Sequence, residues 1–414
     1  MRRRVVVTGY GACTAAGGAE ATLAAMFAGH PMAAPIRGFD TAALPVRFAC
    51  EIRDADPDDR LGARRVHRMD RFAQFGMLAA MDAWEHAGAP PGDPDPRRGV
   101  FLGTGIGGLS EIVRGADLVR TDGWKGISPF FVPRVLPNLA VGHLAMAWGA
   151  EGPSLAVGTA CAAANDAIGQ AWRAIELGEI DQAVAGGCEA TVSTVGIAGF
   201  AVMKALSRRN EDPAGASRPF DVDRDGFVLA EGAGMLVLEA LDTALARGAP
   251  ILAELLSHAA TNDAHHDTHP APGGAGAARC MRNALAAAGV RPGDVGHVNA
   301  HGTGTPLNDV AESQAIRTVF GDHADRLPVA STKGVTGHLL GAAGAIEAIA
   351  VVETLRRGLV PPTANLDRQD PACDIFLPGG AHDADVRVAL SNAFGFGGSN
   401  ATLVFRRWEP ACAS

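Results

Sequence analysis

A lone cysteine stands among alanines in VGTACAAANDAIG, residues 157–169. The stretch SLAVGTAC reads as an apolar strand running into a tight turn, and AAANDAIGQAWRAIELG as the helix that follows. Cys161 then falls at a helix N-terminus, where unsatisfied N–H groups and the dipole favour a thiolate, and its small neighbours let a substrate reach the sulfur. Taken alone, it is equally well a small buried hydrophobe. Two histidines shift that balance: His301 in NAHGTGT and His338 in STKGVTGHLLGAAGA. Each sits where a polar strand end opens onto Gly and Thr, a composition that lets a ligand approach the backbone closely. A thiol that takes up an acyl group, with two neutral imidazoles donating hydrogen bonds to a developing oxyanion, can run acyl-thioester chemistry.

The elements that must position these residues alternate in an α/β rhythm. Apolar strand-like runs (RRVVVTG, RGVFLGTG, DQAVAGGCEA, GMLVLEAL) are interleaved with helical ones such as FAQFGMLAAMDAWEHAG. The second part repeats the rhythm with DVGHVNAHGTG, LPVASTKGVTG, the helix AAGAIEAIAVVETLRRG and the terminal strands DVRVALSNAFG and NATLVFRRW. PSLAVGTACAAANDAIGQAWRAIELG and LPVASTKGVTGHLLGAAGAIEAIAVVETLRRG also resemble each other: an apolar strand, a small-residue turn, then an Ala/Gly helix ending in Gly. Two similar halves are expected, residues 1–250 carrying the cysteine and 251–414 carrying the two histidines, divided near ARGAPILAEL.

Composition narrows the classes. A hydrophobic fraction of 47%, with 52 glycines and a single tyrosine, implies close packing by small residues. The net charge of −9 argues against a general nucleic-acid surface. MRRRVVVTGYG begins like a signal peptide, but Thr8, Gly9 and Gly11 break its apolar stretch, so it is read as the first strand. No apolar run approaches the ~18 residues of a membrane helix, and a cytoplasmic location without membrane or nucleic-acid partners is expected. The seven cysteines (13, 50, 161, 188, 280, 373 and 412) are widely spaced and form no CxxC pair, which points to buried thiols rather than disulfides or a metal site.

Four motifs, GTAC at 158–161, NAHGTGTPLNDVAE at 299–312, STKGVTGHLLGAAG at 331–344 and NAFGFGGSN at 392–400, resemble those of the β-ketoacyl-acyl-carrier-protein synthases, nearest the type II elongating enzymes. The resemblance runs from VVVTGYG to the last strand. It implies the thiolase fold, a duplicated αβαβα arrangement of two similar halves assembled as a homodimer, and an acyltransferase that elongates chains in fatty acid or related biosynthesis. It further implies Cys161 as the nucleophile that accepts an acyl chain from an acyl-carrier protein. His301 and His338 would serve decarboxylation of the malonyl thioester, and Lys333, with Glu312 as its salt-bridge partner, would order the site. The oxyanion hole would come from the N–H groups of Cys161 and Phe396. Phe394, Gly395, Phe396 and Gly397 would form a mobile gate over the cysteine. Thr303, Thr305 and Thr268 would face the pantetheine arm, while Ile106 and Phe200 would line the acyl pocket. No cofactor is implied beyond the phosphopantetheine arm that enters on the carrier.

Three other features compete for attention. RGVFLGTGIGGLSEIV contains a formal G-x-G-x-x-G at Gly103, Gly105 and Gly108, yet the acidic residue at the right distance is only Asp122 in a polar stretch, so a dinucleotide site is rejected. TNDAHHDTHPAPGG gathers three histidines and two aspartates, a pattern more often solvated than metal-bound. Within it Asp267 and His269 depart from the family's apolar and small residues. Arg64, Arg65 and Arg68, together with Lys204, Arg208 and Arg209, form basic clusters that suit docking of an acidic carrier.

Asn165 and Asp166 replace residues that frequently are histidine and asparagine or alanine in housekeeping enzymes. That leaves a ketosynthase of a type II polyketide or polyene pathway as the alternative, in a heterodimer with a cysteine-less, chain-length-factor-like subunit. A non-catalytic chain-length subunit is opposed by the intact Cys161, His301 and His338. A coenzyme-A thiolase would need a second catalytic cysteine, and neither Cys373 nor Cys412 lies in a suitable motif.

Overall fold

The computed structural model describes residues 2–410; Cys412 lies outside the described residues. Ten strands make the main sheet: β1 (Val5–Cys13), β2 (Arg98–Gly103), β3 (Ser154–Val157), β4 (Gln182–Glu189), β5 (Gly232–Ala240), β6 (Ala253–Asn262), β7 (His297–Asn299), β8 (Val329–Ala330), β9 (Val388–Gly395) and β10 (Ser399–Arg407). Their spatial order is β8-β7-β9-β10-β6-β1-β5-β4-β2-β3. Read outward from the centre, each half places its strands first, fifth, fourth, second, third. The polarity repeats as well: the second strand is parallel to the third and fourth, and the fifth is antiparallel to its neighbours. The duplicated α/β architecture implied by the resemblance is therefore the one present.

The halves meet through a short antiparallel ladder in which Val5, Val6 and Val7 of β1 face Leu255, Glu254 and Ala253 of β6. Seven helices matter for the site: α1 (Arg71–His86), α2 (Pro137–Trp148), α3 (Ala163–Glu176), α4 (Thr194–Val202), α5 (Ala275–Ala288), α6 (Pro306–Phe320) and α7 (Ala343–Arg357). The outer α1 starts where the Asp70 carboxylate accepts the Phe72 N–H, and buries its Phe72, Phe75, Leu78 and Trp84 face.

By contrast α3 and α7 are buried around nearly their whole circumference. A helix apolar on all sides belongs between layers. The two pack on each other and on strands of both halves, α3 against β2, β4 and β6, α7 against β9, β10 and β5. Such proximity needs small residues: a Cβ on Gly103 would come within 2.3 Å of the Ala163 carbonyl carbon. The outermost strand of the first half, β3, is an exposed edge. No helix among the described residues is long and apolar enough to cross a membrane.

Candidate active site

Between β3 and α3 the chain makes a single turn of 3-10 helix, Ala160–Ala162, with Ala160 in the left-handed region at φ 49°. A non-glycine residue holds that conformation only where its surroundings impose it. The turn closes as the Ala162 N–H donates to the Thr159 carbonyl at 3.0 Å, and it presents a buried Cys161. Beside it runs the end of β9. A Cβ on Gly395 would sit 2.8 Å from the Thr159 oxygen and 3.1 Å from the Cys161 nitrogen, so only glycine lets this strand pass. The passage brings the Phe396 N–H to the cysteine sulfur.

His338 follows a short helix, Lys333–Thr336, and is clamped by its own backbone: its N–H donates to the Val228 carbonyl at 2.7 Å and its carbonyl accepts the Ala230 N–H at 3.0 Å. Its Nε2 lies 3.1 Å from Cys161 Sγ. His301 follows β7, its loop fastened by Glu312 of α6, whose two oxygens accept the N–H groups of His301 at 2.9 Å and Gly302 at 2.8 Å. The two imidazole rings stand edge to face, 5.3 Å between centroids. The sulfur and one nitrogen from each ring all lie within 4.8 Å of one another.

Lys333 does not pair with Glu312, contrary to expectation. Its ammonium is bonded to Glu347 of α7, both side chains fully buried. The reason is geometric: Glu312 spends both oxygens on backbone N–H groups and also accepts from Asn392 Nδ2 at 3.3 Å, leaving Glu347 as the carboxylate that neutralises the lysine. Sequence reasoning missed Glu347, though a lone carboxylate in the apolar run GAIEAIAVV was the signal.

Burial sets the protonation of the site. It pushes the Cys161 thiol up to about 12 against the opposing charge of Lys333, which favours the neutral thiol over the thiolate expected from its helix terminus. Desolvation of the charged form outweighs a terminus reached through a 3-10 turn. Burial, helped by the Lys333 charge, holds His301 and His338 well below the usual imidazole value, so both are neutral. Glu312 is pushed up to about 7 by burial.

A cavity of about 410 Å³ opens onto Cys161 and both histidines. Thr268, Thr303 and Thr305 line it, the last two joined hydroxyl to hydroxyl at 2.9 Å, as do Phe200, Phe394, Gly395 and Phe396. Gly397 is bound to the facing loop: its N–H donates to the Asp267 carbonyl at 2.7 Å and its carbonyl accepts from Asn262 Nδ2 at 2.8 Å. In that loop His269 stacks on His266 at 4.2 Å and lines the cavity.

Ile106 does not line this cavity. It is 41% exposed, on a turn held outward by the buried Glu189, which accepts the N–H groups of Gly105 at 2.6 Å, Ile106 at 3.3 Å and Gly341 at 3.1 Å. Those N–H groups are the ones a phosphate would need, which removes the physical basis of a dinucleotide loop. Lys204 lines the cavity mouth; Arg64, Arg65, Arg68 and Arg208 are exposed elsewhere on the surface, while Arg209 is half-buried and donates to the Asp223 carbonyl at 2.6 Å. Cys373 is buried away from the site.

Residues 2–244 match the family described as beta-ketoacyl synthase, N-terminal domain, and residues 252–367 the beta-ketoacyl synthase, C-terminal domain. The chain is 44% identical over 411 residues to 3-oxoacyl-[acyl-carrier-protein] synthase 2 of Synechocystis, covering 99% of each chain. It is 43% identical over 409 residues to the protein of that name from Coxiella burnetii, covering 98% of this chain and 99% of that one. Among solved structures, the ishigamide ketosynthase/chain length factor superposes with a TM-score of 0.92 at 35% identity over 99% of this chain and 100% of that one. A type II PKS ketosynthase in complex with its acyl-carrier protein and bound to the hexaketide does so at 0.90 and 32%, with the same coverage.

Proposed function

The chain belongs to the beta-ketoacyl synthase family, and we propose that within it the protein elongates an acyl chain by decarboxylative Claisen condensation with malonyl-acyl-carrier protein. It is an acyltransferase. The observation that carries the residue assignment is the meeting of one sulfur and two neutral imidazoles within 4.8 Å on the wall of one cavity.

In the first step Cys161 attacks an acyl thioester on its carrier. The S–C bond to the protein forms, the bond to pantetheine breaks, and the cysteine proton ends on the departing pantetheine thiol. The Cys161 and Phe396 N–H groups stabilise the oxyanion. In the second step malonyl thioester loses CO₂, its carbonyl oxygen held by His301 and His338, and the enolate carbon attacks the acyl-cysteine. One proton is taken up to restore the thiol, and a 3-oxoacyl-carrier leaves. Neutral imidazoles suit this role because they donate without adding a charge that the enolate would have to leave behind.

The phosphopantetheine arm enters on the carrier past Thr268, Thr303 and Thr305, and the reaction as written needs no resident cofactor or metal. Lys204 at the cavity, with the exposed Arg208, the half-buried Arg209 and the Arg64, Arg65 and Arg68 cluster elsewhere on the surface, receives the acidic carrier. A second copy of the chain covers the exposed β3 edge and Met146 of the α2 helix packed on it, 72% exposed. Six described cysteines are free thiols, which suits the cytoplasm as the compartment.

The second reading, a polyketide-type ketosynthase paired with a cysteine-less subunit, is supported by the likeness to the ishigamide ketosynthase/chain length factor; the higher identity to the 3-oxoacyl-carrier synthases favours the first. The deciding measurement is intact mass after incubation with a panel of acyl carriers. Wild type gains one acyl mass, Cys161→Ala gains none, and Cys161→Gln releases CO₂ from malonyl-carrier without condensing. An acylated Cys161→Ala protein overturns the assignment.

A further inference from the structure

Behind the nucleophile turn, on the side away from the cavity, lies a polar chain that the proposed reaction does not use. The Thr159 hydroxyl donates to Asp166 Oδ2 at 2.6 Å, and Asp166 Oδ1 lies 3.0 Å from His258 Nε2. The three residues come from three places: the turn itself, the first turn of α3, and β6 in the other half of the fold. None of them lines the cavity. The Asp166 and His258 side chains are each only 11% exposed. His258 reaches its partner over Gly169, where a Cβ would lie 2.2 Å from the imidazole Cγ, so the helix is shaped to receive the ring.

Burying a carboxylate is costly unless its oxygens are bonded, and here each has one partner. What this arrangement holds in place is Thr159, whose carbonyl accepts the Ala162 N–H and abuts Gly395, and which directly precedes the left-handed Ala160. A backbone in that region relaxes unless neighbouring contacts over-determine it. Relaxation would move the Cys161 N–H, one of the two oxyanion donors, by tenths of an ångström.

We propose that Thr159, Asp166 and His258 form a positioning chain through which the second half of the fold holds the Cys161 turn in its reactive shape. The three never touch the reacting atoms. The aspartate works as a paired hydrogen-bond acceptor, so its geometry matters more than its charge.

This inference rests on Cys161 as the acyl acceptor. The test is single-turnover transfer from an acyl carrier to Cys161, followed by intact mass, alongside carboxamidomethylation of Cys161 by iodoacetamide, which needs no oxyanion hole. Thr159→Val, which keeps the shape and removes the hydroxyl, and Asp166→Ala each slow acyl transfer about tenfold, while half-saturation by the carrier and the alkylation rate stay within about twofold. Asp166→Asn, whose amide oxygen still accepts from Thr159 and whose NH₂ stands where it can donate to the His258 ring nitrogen, stays within about twofold of wild type in all three. Should Asp166→Ala fail to fold, Thr159→Val carries the test alone. Transfer by Thr159→Val at the wild-type rate, or an Asp166→Asn protein as slow as Asp166→Ala, overturns the proposal. Absence of any acyl mass on wild type would instead overturn the functional assignment beneath it.

Discussion

The turn at residues 159–163 and the turn at 339–343 occupy matching places in the two halves. Each lies between the third strand of its half and a long buried helix, and each carries a non-glycine residue in the left-handed region, Ala160 at φ 49° and Leu340 at φ 48°. The next residue is Cys161 in one and Gly341 in the other. Cys161 faces a cavity, whereas a Cβ on Gly341 would stand 2.2 Å from the Gly105 nitrogen. One backbone device thus has two uses. In the first half it displays a side chain; in the second it removes one, so that the halves close and His338, three residues earlier, meets the sulfur. Duplication supplied the turn twice, and chemistry needed it once.

Three experiments sharpen or break that comparison. The largest effect belongs to the two histidines that the second half contributes, His338 just before its turn and His301 on the loop after β7. His338→Ala or His301→Ala in the Cys161→Gln background lowers malonyl-carrier decarboxylation by about 10²–10³-fold, read as CO₂ release, because one donor to the developing oxyanion is lost. Wild-type CO₂ release from either variant would mean that the second half merely packs.

Next is the second turn itself. Gly341→Ala forces a methyl into backbone and costs about 1–3 kcal/mol of stability, measured by denaturant unfolding. An unchanged midpoint would show that the two turns do not differ in the clearance claimed for them.

The smallest effect concerns the first turn's sulfur. With the thiol pushed up to about 12 by burial, the thiolate fraction rises about tenfold per pH unit below that value, and the alkylation rate of Cys161 climbs without levelling between about pH 7 and 9.5. A plateau below about pH 9 would instead restore the thiolate argued from the helix terminus.

Much of the architecture was legible because strands and helices announce themselves locally. VVVTGYG, RGVFLGTG and NATLVFRRW are short apolar runs bounded by Gly or polar residues, and they form β1, β2 and β10. Within the ten-stranded sheet, the strand that escaped notice is β6. Its sequence AELLSHAATN mixes His258 and polar residues into a run with no clean alternation, because its side chains meet α3 and α5 rather than a simple core and surface. The residue that spoils the pattern is the one that reaches Asp166.

In the site, Cys161, His301 and His338 were visible as unusual residues in turn-like settings, and the structure brings them together. Glu347 and Glu189 were not. A carboxylate on an apolar helix or at the end of an apolar strand reads as an interruption until its partner, Lys333 or the Gly105 and Gly341 N–H groups, is seen across the fold.

Local pattern was enough to say where this chain turns, which residues stand at those turns, and that its two halves share a plan, since backbone preference and periodicity act over a few neighbouring residues. Which carboxylate neutralises Lys333, whether the sulfur carries a proton, and what braces the turn behind it were decided only by tertiary packing. Those answers depend on desolvation and on partners set by the fold, from Glu347 on α7, the long helix after Lys333, to His258, 92 residues beyond Asp166, and neither is written in local pattern.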